Sequence, residues 1–110
     1  MKWRLPVILA CALVVAHAAS AQHTEEAARI ARDGGSVVGS SKACGIALPN
    51  EAMADLVRTH AGSGATFEFI DDLNAAASKA ESEIGAMSAA AKQAHCSAMV
   101  ELAKAMGMIR

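Results

Sequence analysis

Residues 66–87, TFEFIDDLNAAASKAESEIGAM, carry the pattern that decides the fold. Ile70, Leu73, Ala77, Ala80, Ile84 and Met87 recur at steps of three and four, which puts them on one stripe of an α-helix. The period-two alternation of a half-buried strand is missing here and in the flanking chain. The spacing therefore predicts a helix with one apolar seam, suited to a bundle or a coiled coil. Thr66 is its expected N-cap, and Phe67 and Phe69 fill its first turn. Gly85 can end the helix with Ser88 capping the next; the other reading runs one helix straight through.

Working outward, Ser63-Gly64-Ala65 is a short loop. Before it, Met53, Leu56, Val57 and His60 make one helical face, with Asn50 as the expected N-cap and Gly62 as the end. Ala47-Leu48-Pro49 connects this segment to an earlier helix. Thr24 caps that one, and Glu25 and Glu26 in its first turn favour the positive end of the helix dipole. Glu25–Arg29 and Arg29–Asp33 are spaced i, i+4. Asp33-Gly34-Gly35 is its weak point. Either the helix breaks there, or it continues and sets Gly35, Gly39 and Ala43 on one face that another backbone can approach closely. Cys44 then lies near its end, with Gly45 as the stop. On the other side of the seam, Cys96, Met99, Val100, Ala103 and Met106 share a face that Gly107 terminates. The expected fold is all-α: a small antiparallel bundle of about four helices. Its core is thin, because Ala supplies 27 of the 110 residues.

The first 21 residues read as a signal peptide. Met1-Lys2-Trp3-Arg4 is basic, Leu5 to Ala16 is apolar, and Ala19-Ser20-Ala21 fits the small-x-small cleavage rule. The apolar run is shorter than the roughly 20 residues a membrane helix needs. It continues past Cys11, which argues against lipoprotein processing. Cleavage leaves residues 22–110 as one helical domain, exported to a periplasm or secreted, with no stable membrane span.

Two cysteines remain, Cys44 and Cys96. An even count in a small exported chain predicts a disulfide. Closing a loop of about 53 residues contributes on the order of 4 kcal/mol by chain entropy. No Cys-x-x-Cys redox motif is present.

Charge and motifs exclude several functions. The formal charge is −1 for the whole chain and about −3 after cleavage, which argues against a nucleic-acid binder. Phe67 and Phe69 alone make no base-stacking platform. No Gly-x-Ser-x-Gly or Ser-x-x-Lys occurs, and Gly34-Gly35 with Gly39 lacks the Lys-Ser/Thr of a phosphate loop. His60 and His95 have no nucleophile in a recognised motif. Glu68, Asp71, Asp72, Glu81 and Glu83 fall on an expected solvent face, with Lys79–Glu83 an ordinary surface pair. The reading is non-enzymatic, with no catalytic residues and no cofactor.

Two functional expectations follow. The first is a protein-interaction component of the envelope, acting on another envelope or secreted protein through an apolar or small-residue face. In format alone (export signal, short helical domain, long-range disulfide) the chain is similar to periplasmic acid-stress chaperones and small secreted inhibitors. The seam of residues 66–87 could equally serve a homodimer. The second is a Cu(I) carrier using His95, Met99 and Met106, since imidazole and thioether ligands suit that ion.

Overall fold

The computed structural model describes residues 24–62 and 64–110; the expected leader lies outside the described residues. Among the described residues there are four helices: α1 (Glu25–Cys44), α2 (Asn50–His60), α3 (Thr66–Gly85) and α4 (Ala89–Ala105). The described residues contain no strand.

Local signals set most of the boundaries. Thr24 Oγ1 accepts from the Ala27 N–H at 3.0 Å and opens α1. Gly45, at φ 68°, closes it, and the Ile46 N–H donates back to the Ser41 carbonyl at 2.9 Å. Gly107 does the same for α4 at φ 72°, with the Met108 N–H donating to the Ala103 carbonyl at 2.9 Å. Ser88 Oγ accepts from the Ala91 N–H at 3.2 Å, so α3 and α4 are separate helices.

Two expected caps move by one residue. Pro49, not Asn50, is the N-cap of α2, and no side chain caps that end. Its ring holds φ at −61°, and its carbonyl already accepts from the Ala52 N–H, so Asn50 is drawn into the first turn. Ala65 likewise replaces Thr66 as the N-cap of α3; Ala65 is fully buried, and packing rather than side-chain chemistry fixes that start. The two phenylalanines also part company. Phe69 is 0% exposed and Phe67 82%, because residues two apart point about 200° apart on a helix.

The double glycine does not break α1. Gly34 and Gly35 are both buried inside it. A Cβ at Gly34 would run into the Leu56 side chain of α2. At Gly35 it would collide with the Leu73 carbonyl oxygen and come within 2.7 Å of the Ala76 Cβ. At Gly39 it would collide with the Ala77 carbonyl and lie 2.8 Å from the Ala77 Cα. Glycine costs about 1 kcal/mol per position in helix propensity. The close backbone contacts offset that cost through dispersion. Ala43, the third expected small residue on this face, is exposed.

These contacts fix the topology. Gly35 and Gly39 meet Leu73 to Ala77, so α1 and α3 run in the same direction in direct contact. The pairs Gly34–Leu56 and Cys44–Cys96 belong to α2 and α4, which run against α1. Consecutive helices are therefore antiparallel, and α1 packs against all three others. One core cluster joins Ala27 and Ala31 to Leu56, Phe69 and Leu73. The other joins Val37 to Ala52, Ala103 and Met108. The Cys44–Cys96 disulfide, with Cα atoms 5.2 Å apart, ties the last residue of α1 to the middle of α4.

Gly39→Ala should destabilise the protein by about 1–3 kcal/mol despite alanine's better helix propensity, through overpacking against α3. Gly85→Ala, where a Cβ meets nothing, should gain up to about 1 kcal/mol. Urea unfolding of the two variants checks the pair; equal and stabilising effects would show that α1 and α3 do not approach as described.

Candidate functional site

α3 and α4 both flank α1 but scarcely touch one another. Between them lies a groove of about 350 Å³. Arg32 and Ser36 of α1 contribute to it, with Asp72, Lys79 and Glu83 of α3 and His95 and Met99 of α4. Ala75, Ala76 and Ala80 of α3 add apolar surface.

Beneath this groove is a polar contact that sequence reading missed. Ser40 is 0% exposed, and its Oγ lies 2.8 Å from His95 Nε2, across 55 residues of chain. The hydroxyl has no other hydrogen-bond partner among the described residues. A buried O–H left without an acceptor costs about 1–3 kcal/mol. The bond to His95 Nε2 gives the buried hydroxyl its partner. A signal for this contact was present in the chain. Ser40 lies one turn before Cys44 and His95 lies beside Cys96, so the disulfide brings both within reach.

A serine bonded to a histidine is the geometric start of a nucleophile–base pair. Here the hydroxyl is sealed, and no substrate carbon can approach it. The contact satisfies a buried polar group and fixes the imidazole.

The residues expected to hold Cu(I) do not converge. His95 and Met99 line the groove, whereas Met106 lines a separate cavity with Arg29, Asp33 and His60 and packs into the core. Eleven residues separate His95 from Met106, a helix rise of about 16 Å. His95 Nε2 is already engaged by Ser40. Cys96 is in the disulfide. Among the described residues no group of three His, Cys, Asp or Glu could hold a metal ion. Glu68, Asp71, Glu81 and Glu83 are exposed, and Glu83 pairs with Lys79 at 3.7 Å. Such surface pairs contribute little to stability.

No protein family, curated protein or solved structure matches the chain.

The unequal burial of the two residues makes an asymmetric prediction. His95→Ala, which strands the buried hydroxyl, should cost about 1–3 kcal/mol. Ser40→Ala should cost about 1 kcal/mol or less, because the half-buried imidazole can turn to water. The double variant should cost less than the sum of the two. Chemical denaturation of all three against the parent decides it; costs that simply add would show that the residues are not coupled.

Proposed function

We propose that the chain is an exported, non-enzymatic helical protein that binds another envelope or secreted protein. The Cys44–Cys96 disulfide is the observation that carries this reading. Structural disulfides persist in oxidising compartments and are rare in reducing ones. This one secures α4, whose own contribution to the core is small: Ala103 is its sole fully buried residue.

The outward face of α4 supports a binding role. Ala91, Ala94 and Ala98 follow one another at steps of three and four and form one exposed stripe of α4. A flat alanine surface admits close approach by a second helix, as the glycines of α1 do for α3. The sealed Ser40 hydroxyl supports the absence of catalysis. Among the described residues no helix is long and apolar enough to cross a membrane, which fits a chain released after export.

Native mass spectrometry of the protein isolated from its own cells tests the proposal. The expected species is residues 22–110 less two hydrogens, in the envelope or secreted fraction, with a second protein attached. Ala94→Glu should weaken that complex at least tenfold, about 1.4 kcal/mol, while leaving the oxidised protein folded. Recovery as the uncleaved chain with free thiols would overturn export. A monomer without partner in every fraction would overturn the binding role.

A further inference from the structure

The groove between α3 and α4 differs from the other cavities in the state of its polar groups. Arg32 forms no ion pair with any described residue. The Ser36 hydroxyl has no hydrogen-bond partner among them, and His95 Nδ1 has none either. The acidic groups around the groove are already engaged. Glu83 pairs with Lys79, and Asp72 has an interaction of its own. By contrast, the cavity near Met106 places Arg29 against Asp33 at 3.1 Å, so its charges are matched.

Arg32, Ser36 and Ser40 follow one another at i, i+4 and i+8 along α1. Ser36 therefore stands about 6 Å of helix rise from Arg32 on one side and from the Ser40–His95 contact on the other. An acceptor group over Ser36 is within side-chain reach of the guanidinium and of the imidazole. Arg32, Ser36 and His95 share this groove with the apolar walls of Ala75, Ala76, Ala80 and Met99. A metal cation does not suit that set. A planar carboxylate does, since it accepts two bonds from a guanidinium and a further one from a hydroxyl or imidazole N–H.

We propose that the groove is a binding site for a small organic carboxylate with an apolar body. The head group lies over Ser36 between Arg32 and His95, and the body lies against the α3 alanines and Met99. A volume of about 350 Å³ suits a short apolar chain. The site is independent of the alanine face of α4, so it holds whether or not a protein partner docks there.

Isothermal titration of the oxidised protein with octanoate and with its neutral isostere octanamide tests the proposal. Saturable one-site binding of octanoate is expected, with octanamide at least tenfold weaker. Arg32→Ala and Ser36→Ala should each weaken octanoate at least tenfold while keeping the parent's melting temperature. Glu81→Gln, on α3 outside the groove, should bind as the parent does. Equal binding of octanoate and octanamide would overturn the carboxylate role. So would an unaffected Arg32→Ala variant, or no saturable binding of octanoate.

Discussion

The backbone of α3 lies directly against α1 at Gly35 and Gly39, closer than any side chain would allow. Few large apolar residues are available to this chain, and a core of ordinary bulk cannot be assembled from them. The solution is to bring backbones together. Without Cβ atoms in the way, the two helices exchange many short van der Waals contacts along the glycine seam. The large residues are then needed only at the ends, where Phe69, Leu73 and Leu56 close one cluster and Val37 and Met108 help close the other. α1 becomes the central helix, touched by all three neighbours. The disulfide adds at the far end of α1 what the lower clusters cannot supply, because on burial alone a domain of this size is marginal.

This constraint also explains what could be read from the sequence. Capping and termination are local chemistry, so Thr24, Gly45, Ser88 and Gly107 did what their types suggest. The apolar seam of α3 gave its length and its buried face, with Leu73, Ala80 and Ile84 inside. Asn50 and Thr66 misled by one residue, since a proline's fixed φ and a buried alanine outweighed side-chain capping preference. The Gly34-Gly35 step could not be decided locally. Propensity opposes a helix there, and the contacts that favour one come from residues far along the chain. The Ser40–His95 bond is also non-local, and its one signal in the chain was indirect: Ser40 lies a turn before Cys44, and His95 lies beside Cys96. The separation of Met106 from His95 was different: the rise of a helix already places them too far apart for one ion.

The groove is a consequence of how the helices are attached. α3 is held to α1 by the glycine seam, on one side. α4 is held by the disulfide at its middle and by Ala103 and Met108 toward its C-terminal end. Neither attachment draws α3 and α4 together, and α1 is too slender along Arg32, Ser36 and Ser40 to fill the space between them. The polar stripe on α1 is therefore divided by depth. Ser40, at the disulfide end, is covered and finds its hydrogen-bond partner within the protein. Ser36 and Arg32 are open to the groove and keep their donors free. The same repeat of four residues thus yields a structural hydrogen bond at one step and ligand-facing groups at the next. His95 links the two, since it bonds the buried serine and also lines the groove.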